Sequence, residues 1–70
     1  MNEVKASMAG SMWKLLVKEG DQIEEGEDVG IMESMKMEIP LPSPKSGKIQ
    51  SVNVEEGAFL NEGDIIAVIE

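Results

Sequence analysis

Residues 10–33, GSMWKLLVKEGDQIEEGEDVGIME, return at residues 47–70 as GKIQSVNVEEGAFLNEGDIIAVIE. At this offset of 37 the pairs Gly10/Gly47, Val17/Val54, Glu19/Glu56, Gly20/Gly57, Glu25/Glu62, Gly26/Gly63 and Glu33/Glu70 are identical. Seven identities in 24 positions stand against about two expected by chance, so the chain contains an internal duplication. Conservative pairs fill much of the remainder: Met12/Ile49, Leu15/Val52, Ile23/Leu60, Glu27/Asp64, Val29/Ile66, Ile31/Val68 and Met32/Ile69. Residues 34–44 have almost no copy, which makes them the place to look for function.

The duplicated segments read as strands and tight turns. Val4, Ala6 and Met8 alternate with polar residues, and Met12 to Val17 and Val29 to Met32 are apolar runs. Met35, Met37, Ile39 and Leu41 again alternate with a period of two. Ile49, Val52 and Val54 follow, then the β-branched run at residues 65–69. Positions 31, 32, 35 and 39 also fit one helical face. Flanking glycines and Pro40, Pro42 and Pro44 leave room only for a short helix there, and the β-branched copy favours strand. The alternate prolines set their missing donors on one side, which suits an edge strand. Two similar halves, each of about four short strands, predict an all-β fold. We expect a flattened β-barrel or sandwich of two four-stranded antiparallel sheets, related by a pseudo-twofold axis and packed face to face around one core. The 70 residues make a single domain. After Glu33 the chain must turn back into residues 37–41, so residues 34–37 are expected to form a hairpin with Lys36 at its apex. Trp13, the only tryptophan, is expected in the core or at its margin, with a docking face as the alternative.

Composition removes most catalytic chemistry. The chain has no cysteine, histidine, arginine or tyrosine. Thiol nucleophiles, cysteine zinc sites and imidazole bases are therefore absent. A net charge of −8, from 14 acids and six lysines, opposes binding to nucleic acid or an anionic membrane. No apolar run reaches membrane-spanning length, and the polar N-terminus carries no export signal, so a cytoplasmic protein is expected. The acidic stretch at residues 19–28 fails as an EF-hand, because Ile23 and Met32 fall where oxygen ligands are required. A solvated turn surface explains those acids. No carboxylate pair stands out as an acid/base dyad.

Lys36 differs from an ordinary surface lysine. It interrupts the repeat and lies between two methionines that a solvent-facing tip does not need. Glu33-Ser34-Met35-Lys36-Met37 resembles the Glu-Ala-Met-Lys-Met motif of biotin carboxyl carriers, and the whole chain resembles a biotinyl/lipoyl attachment domain. The turns Glu19-Gly20-Asp21 and Glu56-Gly57-Ala58 resemble the family's paired turns, and Pro44-Lys45-Ser46-Gly47 its connector. The resemblance implies a carrier and not an enzyme. Biotin would be joined to Lys36 by a biotin protein ligase, with Glu33, Ser34, Met35 and Met37 as recognition residues. The attached group would shuttle a carboxyl between a biotin carboxylase and a carboxyltransferase. Ser34 departs from the family's alanine. Lipoyl domains resemble Glu-Thr-Asp-Lys-Ala, so lipoate on the same lysine, added by a lipoyl ligase, is the alternative, either alone or with biotin also accepted, carrying acyl or other groups. An unmodified structural or adaptor domain is the second alternative. The resemblance further implies a free-standing carrier, monomeric when free.

Overall fold

The alternation of apolar residues becomes eight strands in a computed structural model that describes residues 2–70. They are β1 (Asn2–Lys5), β2 (Gly10–Leu15), β3 (Gln22–Ile23), β4 (Asp28–Ser34), β5 (Met37–Pro42), β6 (Gly47–Val52), β7 (Phe59–Leu60) and β8 (Ile65–Ile69). Two antiparallel four-stranded sheets run in the orders β1-β8-β6-β3 and β5-β4-β2-β7. Adding 37 to the residue numbers of β2, β3 and β4 gives β6, β7 and β8, so the duplication maps one sheet onto the other. The all-β fold with pseudo-twofold symmetry is as expected.

Inward side chains from both sheets form one core. Met12, Ile23, Val29 and Met32 are fully buried, and so are their copies Ile49, Leu60, Ile66 and Ile69. Backbone hydrogen bonds repeat in the same way. Gly20 N–H donates to Ile49 O (2.8 Å) and Gly57 N–H to Met12 O (2.7 Å); Ile49 N–H donates to Asp21 O and Met12 N–H to Ala58 O.

Three expectations need correction. First, the halves are not separate sheets. β3, from the first repeat, pairs with β6, and β7, from the second, pairs with β2. The link after β2 crosses to the opposite sheet, where Ile23 enters the core. Second, residues 39–43 do have a copy, namely residues 2–6, which precede the first repeat. Val4 and Leu41 are both buried, as are Ala6 and Ser43. Ala6 N–H donates to Asp64 O and Ser43 N–H to Glu27 O, while Gly63 and Gly26 N–H groups donate back to Ala6 O and Ser43 O. The two segments share burial and hydrogen bonding but no residue identity, so comparison of letters misses them. Third, Trp13 is 43% exposed and outside the core. Trp13 follows the inward-facing Met12 and so faces outward, and a β-bulge between Met12 and Lys14 leaves it as an extra residue without a partner on β4; Gln50 has the same place in the matching bulge between Ile49 and Ser51.

Close approach fixes both strand starts. A Cβ at Gly10 would meet the Glu33 carbonyl oxygen, and one at Gly47 would meet that of Glu70. Gly10 therefore sits against the end of β4 and Gly47 against the end of the chain. β2 starts at the β4–β5 hairpin, and its continuation reaches Ile49 and Gly47 on the other sheet. The hairpin and the termini thus occupy opposite ends of the molecule. β5 is an edge strand, as its prolines require; Pro40 and Pro42 lie within it and Pro44 just beyond.

Only the turn between β4 and β5 lacks a copy. Ser34 pairs with Met37, leaving Met35 and Lys36 as a two-residue loop. Their φ angles are +53° and +64°, the values of a type I′ turn. Such turns normally take Asn-Gly. Each side chain in the left-handed region costs about 1–2 kcal/mol.

Two outcomes follow from this architecture. Fragments 1–38 and 39–70, made separately, should each be unfolded by far-UV circular dichroism, because each carries only two of the four strands of either sheet; an independently folded half would disprove the interlock. The double substitution Met35→Asn/Lys36→Gly should raise stability by about 1–2 kcal/mol, or several degrees in Tm, by relieving the turn. Thermal melts test this, and an unchanged or lower Tm would show that the turn is not strained.

Candidate functional site

The hairpin holds a primary amine away from the rest of the protein. Lys36 is exposed at the apex, and its neighbours Met35 and Met37 are 85% and 56% exposed. These methionines do not pack back onto the sheet. Among the described residues the one ion pair is Lys5 with Glu3, so no carboxylate neutralises the Lys36 ammonium. Two flexible thioether side chains flank that amine, an apolar and deformable surround.

The base of the hairpin is clamped. Ser34 is buried, and its hydroxyl donates to the Ala9 carbonyl oxygen at 2.7 Å. Ala9 immediately precedes Gly10, whose missing side chain lets the end of β4 lie close against β2. Ser34 therefore braces the hairpin from within. Grouped by sequence with the flanking residues, it is set apart from them by burial: Glu33, Met35 and Met37 are exposed and Ser34 is not. The bond to Ala9 also occupies the hydroxyl that matched the lipoyl-type motif.

Glu33 faces outward and lies directly opposite Glu38 on β5 and Ser11 on β2. Like charges facing one another across strands repel, typically by a few tenths of a kcal/mol to about 1 kcal/mol. The hairpin thus rests on an unfavourable acidic pair. Elsewhere the acids serve the fold. Asp21 accepts the Lys18 N–H, Glu27 the Glu24 N–H and Asp64 the Asn61 N–H, at 2.8–3.0 Å. The acids of residues 19–28 are therefore turn-forming acceptors as well as solvated charge.

The arrangement can offer an amine to an acyl donor and little else. Among the described residues no three carboxylates converge on a cation position. A shallow concavity lined by Leu15, Leu16, Val17, Lys18 and Asp21 lies at the end of β2 remote from the hairpin. Sequence reasoning passed over Phe59, 70% exposed on β7; comparing it with its copy, Gln22, finds it. Trp13, whose copy is Gln50, is outward-facing and not in the core.

Known proteins carry the same pattern. The family model described as "Biotin-requiring enzyme" matches residues 2–69. The "Biotin/lipoyl attachment protein" of Bacillus subtilis is 54% identical over 63 residues, spanning 90% of this chain and 86% of that one. The "Biotinylated protein TB7.3 homolog" of Mycobacterium leprae is 42% identical over 67 residues, 96% of this chain and 94% of its own. Among solved structures, the urea carboxylase of Kluyveromyces lactis superposes with a TM-score of 0.90 and 34% identity; the match covers 97% of this chain and 6% of that one. These relatives are named for attachment or for being modified, or contain the fold as a small part of a carboxylase. A strand-built scaffold presenting one unpaired lysine on a two-residue turn agrees with them, and the chain belongs to the biotin/lipoyl attachment family.

Proposed function

We propose that this chain is a biotin carrier, with the cofactor joined to Lys36 as an amide and used to move a carboxyl group between a biotin carboxylase and a carboxyltransferase. The observation that carries this reading is the hairpin apex, where the amine is exposed, unpaired and set in a strained turn that the fold does not otherwise need. Attachment by a biotin protein ligase joins the cofactor's carboxyl to the lysine nitrogen. The elements of water are lost and taken up by ATP, which leaves as AMP and pyrophosphate. Loss of the ammonium charge takes the chain from −8 to −9.

The residues present fit the group, since amide formation asks only for an accessible primary amine on a fixed support. Once bound, biotin supplies a ureido nitrogen that accepts and releases the carboxyl. The chain's own part is mechanical. β4 and β5 set the lysine, the Ser34–Ala9 bond holds their base, and the methionines give the ligase an apolar surface. Tethering keeps the carried group at high effective concentration near both enzymes. The relative from M. leprae is named as biotinylated, which supports biotin; the one from B. subtilis is named for both cofactors, which keeps lipoate on Lys36 as the second reading.

Intact-mass analysis after co-expression with biotin and lipoyl ligases should show one biotinyl adduct, mapped to Lys36 by peptide sequencing. Lys36→Arg should abolish it. An adduct that survives would refute the assignment, and an unmodified chain would favour an adaptor role.

Recognition by the flanking methionines gives a second expectation. Met35→Asp adds a charge that an apolar ligase surface must desolvate without a partner, which costs well over 1 kcal/mol. The initial biotinylation rate should fall about tenfold or more. The melting temperature should hardly change, because Met35 is 85% exposed. An unchanged rate would mean that the ligase reads the fold and ignores the side chain.

A further inference from the structure

The two sheets serve as controls for one another, and their outer faces differ. On the sheet β5-β4-β2-β7, Phe59 lies opposite Ser11, Ser11 opposite Glu33, and Glu33 opposite Glu38. Because Met12 points into the core, its neighbours Ser11 and Trp13 point out, as does Phe59 opposite Ser11. Phe59 and Trp13 are diagonal neighbours on adjacent strands, with the Lys14 amine 5.3 Å from the centre of the Trp13 ring. On the other sheet the corresponding positions hold Gln22 and Gln50, both exposed. The fold therefore accepts glutamine at these sites. Its need for an outward residue does not explain two aromatic rings, nor does it explain acids facing one another at Glu33 and Glu38.

We infer that Trp13, Phe59 and the Glu33/Glu38 pair form a docking face for the enzymes that work on the group carried by Lys36, whose complementary surface is an apolar depression bordered by lysine or arginine. The inference rests on the carrier reading. Its position argues for these enzymes over the ligase. A ligase must enclose the hairpin tip, where the amine reacts. An enzyme acting at the end of a long arm must leave that tip free and grip the body beside it. Phe59 lies two strands from Glu33, roughly 10 Å across the sheet, which is such a place. Charge sets the sign: a basic rim would relieve the repulsion between Glu33 and Glu38 and be attracted by a chain of net charge −8. Size argues against a second copy of this chain. Two partly exposed aromatic side chains offer on the order of 200–300 Å², against about 800 Å² per partner in a stable interface. A second copy would also bring a second charge of −8. A small patch suits a carrier that must let go of one enzyme to reach the next.

The test uses the ¹⁵N-labelled full chain, both unmodified and modified at Lys36. It is titrated separately with a biotin carboxylase and a carboxyltransferase from the same organism. Trp13 is the only tryptophan, so its indole N–H gives one assignable signal. That signal and the Phe59 amide should shift with at least one component, and the shifts should shrink as salt is raised. Trp13→Gln/Phe59→Gln copies the residues of the other sheet. It should weaken docking about tenfold while leaving the melting temperature and the ligase rate at Lys36 nearly unchanged. Glu38→Lys should also weaken docking yet raise the melting temperature, a combination that a purely structural role does not give. The inference is overturned if shifts stay within residues 33–38, if the ligase rate falls together with docking, if the signals move with chain concentration alone, or if neither component shifts them. Failure of the carrier reading would appear separately as no adduct on Lys36, with docking still measurable on the unmodified chain.

Discussion

Everything in this molecule depends on the crossing of β3 and β7 between the sheets. Each is only two residues long, and each puts one side chain, Ile23 or Leu60, into the core. Neither could stand as a free strand. They hold because the backbone bonds of Gly20 and Gly57 bind each crossing to the opposite repeat. The repeats therefore share one core, and no hairpin is left to stabilise itself. A chain of this size buries too little surface to hold an isolated hairpin firmly. The lysine turn is fixed because its strands continue into the shared core, and Ser34 extends that fixation almost to the apex.

The turn at Met35 and Lys36 runs against local preference, and so does the facing of Glu33 and Glu38. Both are small costs, and both lie at the same end of the same sheet. Elsewhere local preference and fold agree. Glycines take the positive φ values of the connecting turns, prolines lie at the edge, and acids cap turns by accepting backbone N–H groups. A sequence that is consistent everywhere but at one end locates its function by that contrast.

Much of this was readable from the residues. The offset of 37 revealed the pseudo-symmetry, the alternate prolines marked β5 as an edge, and the unrepeated Met35-Lys36-Met37 marked the apex. The rest was hidden for physical reasons. The match of residues 2–6 to 39–43 rests on shared burial and backbone bonds, which leave no trace in residue identity. The exchange of β3 and β7 depends on where the link before each carries the chain, and a link without periodicity does not announce its direction. Trp13 sits in a bulge, unpaired and outward beside Met12, and its size gives no sign of that. Ser34 looked like its exposed neighbours because strand register alone decides that it points inward, towards the Ala9 carbonyl.

The pseudo-twofold axis places the chain termini where the second sheet would otherwise have its own apical turn. Asn2 pairs with Ile69, just as Met32 pairs with Ile39 below the lysine. The fold is thus a closed circuit with two equivalent corners at opposite ends, one sealed by Met35 and Lys36 and the other open. Extra polypeptide can be spliced on at the open corner without disturbing the sealed one. The architecture is therefore modular by construction: the same 70 residues can serve as a mobile piece or as the appended tip of a far longer chain. In either case the lysine points away from the join.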